Sequence, residues 1–332
     1  MIETLKKQWF VVLIAIIFIG FTVFIIIDTN KDKLPGRSVD GKDVVAGIDG
    51  ADITADELYD KMYSLGGGET LTFLRFQASV IDQSIKSTDK IEEMAANIKD
   101  YITQQAQGQA QNAGTAPEDF ITATIGQQGF HADELDYFCR VQAKQYAAHD
   151  DYVAKNRKEL FTPMCKENNG RIVSHILVKM KDAKNPTKEE MEIVKGIEKD
   201  LKTLTFEEVA KKYAATGDGS AANGGYLGYM DKNTNFVESF KTAALKLKKG
   251  EVSGWVKESN ESYNGWHLIR VEETNVDAML KDEKAFDTMD QAISQAHPEI
   301  QTTILKDAIK KADVKYANDD VKKQVEKFLE TK

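Results

Sequence analysis

The sequence predicts an α+β protein. A mainly helical, discontinuous domain carries an inserted unit with an antiparallel-rich sheet flanked by helices, and one transmembrane helix stands at the N-terminus. Three observations predict this. Residues 9–27 are an uninterrupted apolar run. The β-branched, strand-like segments concentrate between residues 171 and 272. Apolar residues at helical spacing fill the chain on both sides of them.

Taken in order, residues 1–8 read as a cytoplasmic tail and Trp9 to Ile27 (WFVVLIAIIFIGFTVFIII) as the span. Nineteen residues at ~1.5 Å each give about 28 Å, enough for a hydrocarbon core of ~30 Å. Lys6 and Lys7 precede the run, and Trp9 suits the interface. The run ends Phe-Ile-Ile-Ile-Asp, with neither an Ala-x-Ala-like cleavage site nor a lipobox cysteine, so it reads as an uncleaved anchor. Lys31, Lys33 and Arg37 on its far side cancel the charge bias that would orient it. Residues 28–43, polar and punctuated by Pro35, read as a linker.

The first helical domain is assigned to residues 44–168. Val44 to Gly50 reads as a strand and turn. Thr54 and Glu57 form a capping box. Helices follow over 70–86, 90–106, 117–130 and 132–156, with the Gln/Ala/Gly-biased stretch 104–114 as a frayed end and loop. The inserted unit, 169–274, begins with the strand Arg171 to Met180. Thr187/Glu190 and Thr205/Glu208 open two helices, and Gly217 to Gly225 is a turn-rich loop. Asn235 to Leu247 is a third helix, and 251–257 and 266–272 are two strands. Residues 275–332 return to helices, with Val314-Lys315-Tyr316 as a short strand candidate. Their apolar faces need a partner, and residues 44–168 supply it.

Composition narrows the function. A formal net charge of −9 argues against a nucleic-acid partner. Two cysteines, Cys139 and Cys165, are too few for a disulfide framework or a four-cysteine zinc site, and the histidines show no metal-ligand spacing, so no metal or cofactor is expected. A Cys139–Cys165 bridge stays open at this point. Cys139 itself reads as a small buried residue. His131, His149 and His297 match no motif, and no Gly-x-Ser-x-Gly accompanies the histidines, which excludes a serine hydrolase of that type.

Four motifs carry the functional reading: Ser174-His175-Ile176-Leu177-Val178, Gly224-Gly225-Tyr226-Leu227-Gly228, Leu247-Lys-Lys-Gly-Glu-Val-Ser253 and Gly265-Trp266-His267-Leu268-Ile269. In this order, over about 105 residues, they resemble the parvulin-type peptidyl-prolyl cis/trans isomerases. The flanking helices and the segment Val45 to Leu58 resemble the extracytoplasmic foldases of the PrsA, SurA and PpiD kind, in particular the membrane-tethered members. The resemblance implies an isomerase with chaperone activity on the outer face of a bacterial cell membrane. Its partners would be unfolded or newly exported proline-containing polypeptides, and a homodimer is compatible with it.

An X-Pro bond rotates over a barrier of ~18–20 kcal/mol and takes about 10–100 s unaided. The transition state is a twisted amide, so a site needs an apolar slot for the ring and a small polar network. The resemblance supplies both. His175, Asp218, Ser262 and His267 stand at the positions of the catalytic network, and Leu227, Phe236 and Phe240 at those of the proline pocket. Departures are Phe236 where methionine is usual, Tyr226 in place of the Gly-Gly-motif aspartate, and Trp255 where proline is common. The loop from Lys179 to Lys188 lacks the arginine pair of phospho-specific parvulins. The change at Phe236 gives weight to an alternative, a non-catalytic holdase whose parvulin unit is only a peptide-binding module.

Overall fold

The computed structural model describes residues 38–39, 41–48, 51–57, 61, 68–214, 219–260, 263–316 and 319–330. The expected tail and span lie outside these residues. Among the described residues no helix is long and apolar enough to cross a membrane. The chain divides into two compact units, Met1–Phe76 and Gln77–Lys332.

In the first unit, β1 (Ser38–Val39), β2 (Lys42–Ile48) and β3 (Ala51–Thr54) form an antiparallel sheet in chain order. The strand signal thus extends back into the segment read as a linker. Gly41, with φ 77°, makes the reversal between β1 and β2, a conformation that costs glycine little. Thr54 Oγ1 accepts from the Glu57 amide at 3.2 Å, one arm of the expected capping box.

Helix α1 (Gly68–Ser84) leads into the second unit. There α2 (Asp89–Ala113) starts on a Thr88 cap and stops at Gly114, which adopts the left-handed conformation. The stretch 104–114, expected to fray, is helical up to Ala113. Gln and Ala are good helix formers, and Ala106 and Ala110, one turn apart, are both buried. Helix α3 (Pro117–Gly126) begins on its proline, as fits a first-turn residue with no amide proton to leave unpaired.

Helix α4 (Leu135–Glu167) runs for 33 residues, about 50 Å, and so continues well past the expected end at 156. It contains Pro163. A proline inside a helix costs ~3 kcal/mol, which packing offsets here: Phe161, Met164 and Cys165 around it are buried in one core. Cys139 and Cys165 are both free and buried on this one helix, separated by roughly 39 Å of rise, so they do not pair. Lys144, 5% exposed, places its ammonium 2.7 Å from both the carboxylate and the backbone carbonyl of Asp82, which ties α4 to α1.

The sheet is built from β4 (Arg171–Lys179), β5 (Tyr226–Met230), β6 (Val256–Asn260) and β7 (Tyr263–Glu273), all neighbours antiparallel, in the order β5-β4-β7-β6. Strand β5 follows the turn-rich loop with no strand signal of its own in the sequence: glycines, three of them at positive φ (Gly224, Gly225 and Gly228), interrupt the segment. Strand β6 starts at Val256. Val252, expected inside it, makes only an isolated bridge to Arg270. Helices α5 (Lys188–Asp200) and α6 (Phe206–Lys212) both start on the expected capping boxes. They cover one face of the sheet, where Ile176, Val178, Trp266 and Leu268 meet Val194, Ile197, Phe206 and Val209. Helix α7 (Glu238–Lys246) lies on the other face, against Val173, Met230, Ile269 and Val271.

A third core joins the sheet to the flanking helices. Ile172 of β4 and Tyr229 of β5 pack with Phe161, Met164 and Cys165 of α4. The same core takes in Met279 of α8 (Val276–Met279), Met289 and Ile293 of α9 (Phe286–Ala296), and Ile300 of α10 (Glu299–Lys311). Arg157 of α4 grips Asp290 of α9 through two bonds of 2.6 and 2.7 Å. The last helix is α11 (Asp319–Glu330). Val314 to Tyr316, expected as a strand, pairs with no strand among the described residues, where it trails the end of α10.

Burial raises the Cys139 and Cys165 thiols to about 11. A neutral thiol is therefore favoured in the folded state. That stabilisation is complete below the unfolded value of about 9 and is lost as pH rises through 11. The thermal midpoint is expected to fall between pH 9 and 11, and to fall less steeply in the Cys139→Ala/Cys165→Ala variant, as calorimetry at stepped pH would read.

Candidate active site

The site forms where the sheet's α7 face meets the loop before β5. In the β4–β7 ladder, His175 lies opposite Ile269 and His267 opposite Leu177. The two histidines are diagonal neighbours, so strand alternation places both on the α7 face. Their rings are nearly parallel, 25° apart, with Nδ1 atoms 3.1 Å from each other. Both residues are buried.

This geometry constrains the protons. One Nδ1 must donate and the other accept, so the pair cannot be doubly protonated in this arrangement. His175 Nε2 lies 2.9 Å from Ser220 Oγ. If neutral His175 donates through Nδ1, its Nε2 accepts from the Ser220 hydroxyl. If it accepts at Nδ1, its Nε2 donates to Ser220. In neutral His175 the two bonds therefore reverse together.

Phe240 closes the apolar side. It is 4% exposed and presents itself edge-on to both imidazoles, with centroids 5.9 Å from His175 and 5.3 Å from His267. Phe236 packs edge-on against Phe240 at 5.1 Å and stays half-buried. Leu227 on β5 packs against the same core, which includes Phe240. Two imidazoles beside an aromatic and aliphatic wall match what a twisted prolyl amide requires: low polarity around the ring and dipoles fixed in advance.

The backbone holds this together. The amide of His175 donates to the carbonyl of Gly225 at 2.8 Å. A Cβ on Gly225, whose φ is 79°, would collide with the carbonyl oxygen of His175. At the far end of α7, the guanidinium of Arg171 donates to the carbonyls of Ala244 (2.6 Å) and Leu247 (3.0 Å). Burial lowers its pKa from the ordinary arginine value. A cation at a helix C-terminus satisfies carbonyls that the helix leaves open, so Arg171 fixes the helix that carries Phe240. Asn169, at φ 57°, bends the chain and accepts from the same guanidinium at 2.7 Å.

Of the residues singled out in the sequence, His175, His267, Phe236, Phe240 and Leu227 come together. Asp218 and Ser262 lie outside the described residues. Ser220 was missed. Its signal was a hydroxyl in the Gly-Asp-Gly-Ser loop two residues after Asp218, in a stretch read only as turn. The departures have structural uses. The Tyr226 hydroxyl donates to Asp282 at 2.8 Å, and the Trp255 indole donates to Glu198 at 2.9 Å and packs 6.1 Å from Trp266. Among the described residues no cluster of metal-ligating side chains occurs.

The family described as "Rotamase: PPIC-type PPIASE domain" matches residues 175–273, which span the site. Over 298 residues the chain is 33% identical to the foldase protein PrsA of Bacillus subtilis, covering 89% of each. It is 29% identical over 302 residues to the foldase protein PrsA 1 of Bacillus cereus, covering 90% of this chain and 87% of that one. The crystal structure of PrsA from Bacillus subtilis aligns with a TM-score of 0.47 and 29% identity, over 86% of this chain and 98% of the other. The site on the α7 face thus sits in a parvulin-type peptidyl-prolyl cis/trans isomerase domain, and the chain belongs to the PrsA foldase family.

Proposed function

We propose that this chain is a membrane-anchored foldase that isomerises X-Pro bonds in newly exported polypeptides, with residues 9–27 as its anchor and residues 28–332 outside the cytoplasm. His175, His267 and Asp218 bias the prolyl amide toward its twisted form, and Ser220 sets the tautomer of His175. Leu227, Phe236 and Phe240 receive the pyrrolidine ring. Ser262 joins the polar rim. The observation that carries this reading is the Nδ1-to-Nδ1 histidine pair placed edge-on to Phe240.

The helices act on the rest of the client. A cavity of about 530 Å³ opens between the α1–α2 turn, α4 and α10. Ile85, Ile91, Ala147 and Ile304 give it an apolar floor, and Lys86, Asp151 and Lys311 a charged rim. That size suits a few residues of an extended chain rather than a folded surface.

The test is isomerisation of proline tetrapeptides by the full chain in detergent, followed by a protease that cleaves only the trans form. A rate above the uncatalysed one is expected. Asp218→Ala should lower it about tenfold, equivalent to ~1.4 kcal/mol of transition-state stabilisation. An uncatalysed rate with every residue tried before proline would overturn the reading.

A further inference from the structure

We propose that Thr288, on α9 and outside the 175–273 match, is a positioning residue for the isomerase site, acting through the edge strand β5. The inference deepens the isomerase reading and rests on it for its kinetic consequence.

Strand β5 is exposed to two demands. Its inner side pairs with β4, and the turn that precedes it gives the Gly225 carbonyl to the His175 amide. Its Leu227 belongs to the apolar wall that includes Phe240. Its outer side is a sheet edge, where backbone amides need partners other than a strand. Thr288 supplies one. Its Oγ1 accepts from the Tyr229 amide at 2.8 Å and donates to the Ala285 carbonyl at 2.9 Å, which turns a lone pair of the hydroxyl toward the strand.

The approach is close. A Cβ on Gly228 would collide with Thr288 Oγ1, so a glycine is what lets α9 reach the strand here. A second fastener lies three residues earlier on β5, where the Tyr226 hydroxyl donates to Asp282. Leu227 sits between the two fastened points. Tyr229 anchors the end of the strand, packed edge-on at 4.9 Å against Phe161 of α4. A five-residue edge strand has few ladder bonds of its own, so its position over the site is set from residues 282–288. Loosening it would shift Leu227 and the Gly225 carbonyl together, and with the latter the backbone of His175.

The experiment compares Thr288→Val and Thr288→Ser in the full chain. Valine keeps the shape but leaves the Tyr229 amide without its acceptor. Serine keeps the oxygen. Two readouts are taken well below the thermal midpoint: kcat/KM on a proline tetrapeptide, and the imidazole ¹⁵N shifts of His175 and His267. Thr288→Val is expected to lower kcat/KM about five- to tenfold and to move the imidazole shifts, and Thr288→Ser to restore both. Unchanged shifts and rate in Thr288→Val would overturn the proposal, as would equal losses in the serine variant. Shifts that move in a chain with no catalysed rate at all would instead sink the isomerase reading and leave the β5 fastening in place.

Discussion

Gly225→Ala is expected to reduce catalysed proline isomerisation to the background rate and to lower stability by roughly 3 kcal/mol or more. Two penalties combine. At φ 79° an L-residue is strained by ~1–2 kcal/mol. The added methyl also meets backbone, the carbonyl oxygen of His175, which cannot rotate away as a flexible side chain would. The chain must open the contact through which Gly225 holds the His175 amide, and the histidine pair loses its register. Urea unfolding and the tetrapeptide assay on one preparation check both effects. Gly219→Ala is the control, since among the described residues nothing lies within 4 Å of a Cβ there and its backbone carries no positive φ. Equal stability and rate in Gly225→Ala would mean that this turn does not set the site.

Phe240→Ala is expected to cost about 3–5 kcal/mol and to abolish measurable turnover. The ring is nearly fully buried and stands in contact with the imidazole of each histidine. Removing it leaves a cavity beside His175 and His267 and lets water reach the slot proposed for the pyrrolidine. Because the lost stability alone could explain lost activity, Phe240→Leu separates the two. It keeps most of the volume, so stability should fall by only ~1 kcal/mol, while the edge contacts to the imidazoles vanish. Turnover in Phe240→Leu at the wild-type level would show that the ring serves packing alone.

Much of the fold was legible where a local signal had a local cause. The capping boxes at Thr187 and Thr205 open helices because both arms of each box are made by residues three apart. The histidines were legible because Ser-His-Ile-Leu-Val and Gly-Trp-His-Leu-Ile stand in order among the motifs that resemble the parvulins, and adjacent antiparallel strands bring His175 and His267 onto one face. What escaped depends on distant residues. Residues 226–230, which follow the turn-rich loop, show no strand signal until β4 and Thr288 supply partners for the two sides of β5. Helix α4 reads as ending near 156 until the core around Phe161 outweighs Pro163. The 104–114 segment reads as low complexity until Ala106 and Ala110 are seen to be buried. Ser220 carries only a hydroxyl near Asp218 as a local signal, and its partner His175 lies 45 positions away.

The core around Tyr229 takes residues from α4, from the paired strands β4 and β5 and from helices as late as Ile300. A nascent polypeptide is delivered from its N-terminus onward. While residues up to 274 have emerged and the rest have not, Tyr229 and Ile172 have only α4 to cover them. The chain therefore passes through a stage in which every residue of the proposed site has been synthesised while the helices that complete the core behind β4 and β5 have not.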